Sequence, residues 1–257
     1  MNIETYGTGS RILSAARHLG EARDISAGRH FVLLPIPSTK DKKYVKDTNT
    51  ALDSTLAYAD KNSVVVGYGL PEGYTKKATR LGARILDLAL DEEFQRENSY
   101  VSALGAVGYL LTSSDKEPRD TKFGVVGYGK IGKALVRMLL FHGAHVKLYT
   151  SKLLTSLELG ECGIESVFVS EWDGGVHDFS GLDVIINTAP IDMTKSFPLG
   201  KAENGARIIE LASGENFAGI KGVEKLPSIP EKMFPESAGK IYFDAIKRFL
   251  HCEVDLT

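Results

Sequence analysis

Phe123-Gly-Val-Val-Gly127-Tyr-Gly129-Lys-Ile-Gly132-Lys-Ala-Leu-Val-Arg-Met-Leu139 is the stretch that decides the fold. A short apolar run, Phe123 to Val126, reads as a buried strand, and Ile131, Ala134, Leu135, Met138 and Leu139 recur at helical spacing. Between them stands Gly-x-Gly-x-x-Gly, the turn that carries a dinucleotide when a strand precedes it and a helix succeeds it. In that setting Gly127 permits the tight turn, Gly129 lets backbone approach a pyrophosphate, and Gly132 lets the helix lie close on the strand. The backbone N–H groups from Gly127 through Tyr128, Gly129, Lys130, Ile131 and Gly132 are the expected phosphate cradle, helped by the positive end of the helix.

Working outward, Val146 to Tyr149, Ser166 to Val169, Val184 to Asn187 and Arg207 to Ala212 are strand-sized apolar runs ending in polar or small residues. Strands alternating with helices predict a doubly wound parallel sheet, an α/β dinucleotide domain over residues 122–239. The second strand bears on the cofactor. NAD-binding members of this fold place an acid about 20 residues after the first glycine. No Asp or Glu occurs from Thr121 to Leu157; the strand ends in Thr150, Ser151 and Lys152. Two hydroxyls and a cation suit a 2′-phosphate, so NADP is expected over NAD. The nicotinamide half should lie against the remaining strand ends, Asn187-Thr188-Ala189-Pro190 and Leu211-Ala212-Ser213-Gly214.

N-terminal to this domain, Ile3 to Tyr6, Phe31 to Ile36, Ser63 to Val66 and Arg84 to Leu86 read as strands, Arg11 to His18 and Thr48 to Ala59 as helices, and Ser38 to Lys46 as a polar loop. Asn98 to Leu111 reads as a bridging helix capped by Asn98 or Ser99, leading into a linker through Thr121 that contains Pro118. Lys240 to Leu250 forms a closing helix with Ile241, Tyr242, Ala245, Ile246, Phe249 and Leu250 on one face. The expected division is a substrate lobe of residues 1–97 with 240–257, a bridge of 98–121, and the dinucleotide domain.

The chain has 257 residues, and 31 Lys plus Arg against 33 Asp plus Glu give a formal net charge of −2. That leaves no basic field for nucleic acid or an anionic membrane. The weakly polar run Val101 to Leu111 is far short of the roughly 20 residues of a spanning helix. Two cysteines, Cys162 and Cys252, make neither a metal spacing nor a disulfide framework, which points to a reducing, cytoplasmic setting. The six histidines form no ligand cluster, so no metal is expected.

Several segments together resemble the formate/glycerate-dehydrogenase-like proteins, and within them the family of the dipicolinate synthase A chain. They are Phe31-Val-Leu-Leu-Pro-Ile-Pro-Ser38, Asn98-Ser99, Gly127 to Gly132, Ile185-Ile-Asn-Thr-Ala-Pro190, Ile208-Ile-Glu-Leu-Ala-Ser213, Pro227-Ser-Ile-Pro230 and Pro235-Glu-Ser-Ala-Gly239. The resemblance implies a flavodoxin-like substrate lobe, here shortened between Tyr6 and Phe31, beside the dinucleotide domain. It also implies oxidation of a reduced, carboxylate-bearing pyridine precursor in a sporulating cell, a homo-oligomer, and a second synthase subunit. Ser38, Thr39, Asn98 and Ser99 are then the expected substrate contacts, and Glu236, whose segment resembles one that lines the site in relatives, is the candidate catalytic residue.

Two departures accompany the likeness. The family's Glu after Asn98-Ser99 is missing from Tyr100-Val-Ser-Ala-Leu-Gly105. D-2-hydroxyacid dehydrogenases need an Arg and a His, where this chain has Ser213-Gly-Glu215 and Pro235-Glu236. Loss of a positioned acid–base group costs about 10²- to 10⁴-fold in rate, which ranks hydroxyacid chemistry below the synthase-like reading. A nucleotide-binding module without turnover is the reading from a different class.

Overall fold

The computed structural model describes residues 1–161, 164–170, 178–194 and 205–251. Cys162, His177 and Cys252 lie outside the described residues. Two compact units divide the chain: Met1–Val101 with Pro230–Thr257, and Ser102–Ile229.

The first unit runs β1 (Asn2–Thr5), α1 (Ser10–Glu21), α2 (Arg23–Ser26), β2 (His30–Leu33), a 3₁₀ turn (Leu52–Leu56), β3 (Ser63–Gly67), α3 (Glu72–Arg80), β4 (Arg84–Asp87) and the start of α4 (Glu92–Ser113). Its four strands are parallel and lie in the order β1-β2-β3-β4. Successive residues of one strand serve opposite faces. Phe31 and Leu33, with Val64 and Val66, pack against Ile12, Ala15, Leu19 and Tyr242, while Val32, Leu34 and Val65 pack against Leu52, Tyr74 and Ala78. Burial on both faces explains why these strands read as continuous apolar runs.

The second unit adds β5 (Lys122–Val126), α5 (Lys130–Phe141), β6 (His145–Thr150), α6 (Leu153–Glu161), β7 (Glu165–Phe168), β8 (Val184–Asn187), β9 (Arg207–Glu210) and β10 (Val223–Lys225). α7 (Ile229–Met233) and α8 (Pro235–His251) lead back into the first unit. All six strands are parallel in the order β10-β9-β8-β5-β6-β7. From β5 the chain winds outward through β6 and β7, then returns to β8 on the other side of β5 and winds the opposite way. This is the doubly wound order, and it reverses between β5 and β8, the point at whose carboxyl ends such sheets bind ligands. The first sheet winds in one direction and has no such reversal.

Three helix expectations are corrected. Thr48 to Ala59 holds only the 3₁₀ turn, because its hydroxyls bond the local backbone: Thr48 Oγ1 donates to Val45 O at 3.0 Å, Ser54 Oγ to Ala51 O at 2.7 Å and Thr55 Oγ1 to Leu52 O at 2.7 Å. α4 begins at Glu92, six residues before Asn98, because Asp91 Oδ1 accepts the N–H of Phe94 at 2.9 Å and caps the helix; Asn98 and Ser99 are interior helical residues and cap nothing. α8 begins at Pro235 instead of Lys240, with proline at its favoured first position. No helix among the described residues is long and apolar enough to cross a membrane.

Candidate functional site

The glycine turn stands at the reversal point of the six-stranded sheet. Gly127 has φ +92°, a left-handed conformation open to glycine, directly after the last residue of β5. A Cβ on Gly132 would stand 2.3 Å from Gly127 O and 2.9 Å from Thr188 Oγ1, so the first turn of α5 lies directly on the turn that precedes it. Gly129 differs from both, since a Cβ there would meet no heavy atom within 4 Å. The close helix–strand approach therefore needs the first and third glycines, while the second faces open space, the division of roles expected where backbone meets a pyrophosphate.

Gly129 is the N-cap of α5 and brings no side-chain cap. The first turn contains no acid but carries Lys130 and, one turn on, Lys133, whose ammonium lies 5.4 Å from the Tyr128 ring centroid. Cations at the positive end of a helix are unfavourable unless an anion joins them. Such an end favours an anion.

Thr188 fastens the turn from the neighbouring strand. Its N–H donates to Val126 O at 2.9 Å, and its hydroxyl contacts Val126 O at 2.9 Å and Gly127 O at 3.2 Å. Asn187 shapes the turn after β8: Nδ2 donates to Ala189 O at 2.9 Å, and Oδ1 accepts the Ala189 N–H at 3.1 Å. Pro190 beyond it is exposed. On the adjacent strand end Leu211 N donates to Asn187 O at 3.0 Å, and Ala212 and Ser213 continue outward to solvent. The structure thus brings Gly127, Gly129, Gly132, Thr188, Ala189, Leu211 and Ala212 to one edge of one sheet.

At the end of β6 the three polar residues part company. Thr150 is buried, and its hydroxyl accepts the Lys152 N–H at 3.2 Å, whereas Ser151 and Lys152 are exposed. A cation and one hydroxyl therefore face solvent where NAD enzymes hold a carboxylate.

Glu210, the last residue of β9, was not singled out by sequence. It is 3% exposed; Oε1 accepts from Asn187 Nδ2 at 3.1 Å and from Ala212 N at 2.9 Å, while Oε2 is buried without a hydrogen-bond partner among the described residues. Burial raises its pKa above the ordinary carboxylate value, opposed by the hydrogen bonds from Asn187 and the Ala212 N–H. An acid ending a buried strand is the one signal that could have marked it.

The remaining candidates lie in the first unit. Ser38 is wholly buried, donating to Pro35 O at 3.1 Å and accepting the Tyr68 N–H at 2.7 Å, so it fixes the loop after β2. Thr39 Oγ1 accepts the Lys42 N–H at 2.9 Å, and Lys40 pairs with Asp47 at 2.8 Å on the surface. Glu236 lies in the first turn of α8, exposed, paired with Arg17 and accepting from Ser14 Oγ at 3.2 Å. No metal-ligating cluster occurs among the described residues.

Neither a family model nor a curated protein sequence matches the chain. Solved structures do. The A chain of dipicolinate synthase from Bacillus subtilis is 17% identical with a TM-score of 0.72, covering 98% of this chain and 96% of its own. This chain shares that fold. The corresponding dipicolinate synthase chain from Bacillus halodurans is likewise similar, at 20% identity and TM-score 0.71 over 97% of both chains. A transhydrogenase from Sinorhizobium meliloti stands at 14% identity and TM-score 0.63, covering 99% of this chain and 95% of that one. The likeness to the two dipicolinate synthase structures is one of fold across nearly the whole length.

Proposed function

We propose that the chain is an NADP-preferring oxidoreductase that oxidises a reduced, carboxylate-bearing pyridine precursor, as a counterpart of the dipicolinate synthase A chain. One observation carries the nucleotide part: the Gly127–Gly132 turn at the sheet's reversal point, packed tightly at its first and third glycines, open at its second, and headed by lysines instead of acids. Backbone N–H groups from Gly129 to Gly132 would hold the pyrophosphate, Ser151 and Lys152 would meet the 2′-phosphate, and Thr188 to Pro190 with Leu211 to Ser213 would border the nicotinamide. The dinucleotide, when bound, supplies the hydride acceptor. Thr150, buried, would act by holding the strand end in place.

Aromatisation of the ring favours hydride loss, so this reaction depends less on a strong base than alcohol oxidation does. That fits a chain with no His in the Pro235–Gly239 segment. The reading includes expression during sporulation, a homo-oligomer and a second synthase subunit.

One observation favours a second reading, nucleotide binding without turnover: the carboxylate of Glu236 is already engaged by Arg17 and Ser14. The deciding experiment mixes the protein with NADP and a freshly made dihydropyridine-dicarboxylate and monitors NADPH by absorbance. Protein-dependent formation of NADPH supports the oxidoreductase. Nucleotide binding without any turnover, repeated with NAD and with a 2-hydroxyacid, supports the binding module.

A further inference from the structure

We propose that the head of α1, in the first unit, is a binding site for the carboxylate of a small organic acid, anchored by the guanidinium of Arg11. The inference is independent of the nucleotide reading, because it concerns the other sheet and is tested without a nucleotide.

Arg11 is 4% exposed, and among the described residues it makes no hydrogen bond or ion pair; its Nε is shielded from solvent with no partner. A buried guanidinium normally has its donors satisfied, since each unpaired one forfeits the hydrogen bond it had in water. Arg11 lies in the first turn of α1, where side chains lean back toward the helix N-terminus. That end is itself an anion-favouring place: its N-cap is Gly9, with no side-chain cap, and the first turn contains no acid.

The surroundings fix the location. Arg11 acts electrostatically on Tyr242, whose hydroxyl contacts Leu34 O and Val66 O, each at 3.0 Å, at the carboxyl ends of β2 and β3. Lys46, half-buried, donates from Nζ to Ile36 O at 2.9 Å, and its charge acts on both Arg11 and Glu231. Burial holds the Arg11 pKa below its ordinary value, and Glu231 only partly offsets this.

Glu231 also shows what kind of group fits. Its Oε2 would lie 2.6 Å from a Cβ placed on Gly9, so the chain already brings a carboxylate to the helix head, in space that a side chain at Gly9 would take. Yet it forms no ion pair with Arg11. The guanidinium thus keeps its planar fork of donors for another carboxylate, and a two-oxygen planar acid matches that fork bidentately where a tetrahedral anion matches it less selectively.

The test is calorimetric titration of the full chain with pyridine-2,6-dicarboxylate, 2-oxoglutarate, benzoate and inorganic phosphate, together with thermal melts. The wild type should bind at least one of the carboxylates more tightly than phosphate and melt at higher temperature in its presence. Arg11→Met should bind that acid at least about tenfold more weakly, as expected for loss of a charge-assisted pair. Its own melting temperature without ligand should rise or stay level, because an unpaired buried charge has been removed; a purely structural arginine would lower it. If Arg11→Met does not fold, Arg11→Lys, which keeps the charge without the fork, should weaken binding. Wild type that binds none of the three acids, phosphate binding as tight as any of them, or Arg11 variants that bind like wild type would overturn the proposal.

Discussion

Asn187 and Glu210 are directly paired across β8 and β9, in register and at the last position of each strand, and Asn187 Nδ2 donates to Glu210 Oε1 at 3.1 Å. The bond joins the two strand ends whose loops border the proposed nicotinamide position. It also holds a carboxyl in a buried place, with one oxygen lacking a hydrogen-bond partner among the described residues.

Glu210→Gln is therefore expected to raise the melting temperature at about pH 8 and to lose that advantage near pH 4, where the buried carboxyl is protonated. The sign comes from the raised pKa: above it the native state holds a desolvated charge that the unfolded state keeps in water, so stability falls as pH rises through that range. Melts across pH check this. A variant less stable at every pH would show that the charge is held favourably.

Gly132→Ala should cost about 1–3 kcal/mol of stability, because its Cβ meets a backbone carbonyl that cannot move aside without opening the turn. Urea unfolding of the variant beside wild type measures it. An unchanged midpoint would mean that α5 can slide away from Gly127.

Arg207 grips Glu224 with two hydrogen bonds, at 2.9 Å and 2.8 Å, while Tyr109 OH donates to the same carboxylate at 2.7 Å and Arg207 reaches Ser113 O at the end of α4 at 3.0 Å. The Arg207 hydrogen bond holds the Glu224 pKa below its ordinary value. Its contribution is present above the unfolded pKa and is lost as pH falls through the folded one. Glu224→Gln should lower stability by about 1 kcal/mol at neutral pH, with the gap closing on acidification. An equal gap at all pH values would argue for shape, not charge.

Much of this architecture was legible because both sheets are buried on two faces. Val184–Asn187 and Ser63–Gly67 have nowhere to place polar residues, so they stand out as apolar runs. The glycine motif was legible because its spacing carries its own mechanics. α3 was not, since Tyr74 and Ala78 alone among its nine residues are buried and make no stripe. The start of α4 was misplaced because Asn98-Ser99 offers cap-forming residues that compete with Asp91, and only packing at Phe94 decides between them. Arg11 and Glu210 escaped for a common reason: an apolar pattern says which residues are inside but is silent about a charged residue that goes with them.

Lys152→Ala should weaken NADPH binding about tenfold while leaving NADH binding within about twofold, if the exposed ammonium after β6 meets the 2′-phosphate. Parallel titrations with the two nucleotides at matched salt measure the difference. An equal effect on both would assign Lys152 a general electrostatic role.

If the Gly127–Gly132 turn holds a dinucleotide as proposed, Gly129 gives the cleanest probe of it. Its backbone is extended, with φ −79° and ψ −165°, and a Cβ there meets no heavy atom within 4 Å, so Gly129→Val should fold with a melting temperature close to that of wild type. Fluorescence titration of NADPH into wild type and Gly129→Val is the direct measurement. Saturable binding to wild type that the valine abolishes is the predicted result; no binding to wild type, or undiminished binding to the variant, would contradict the account.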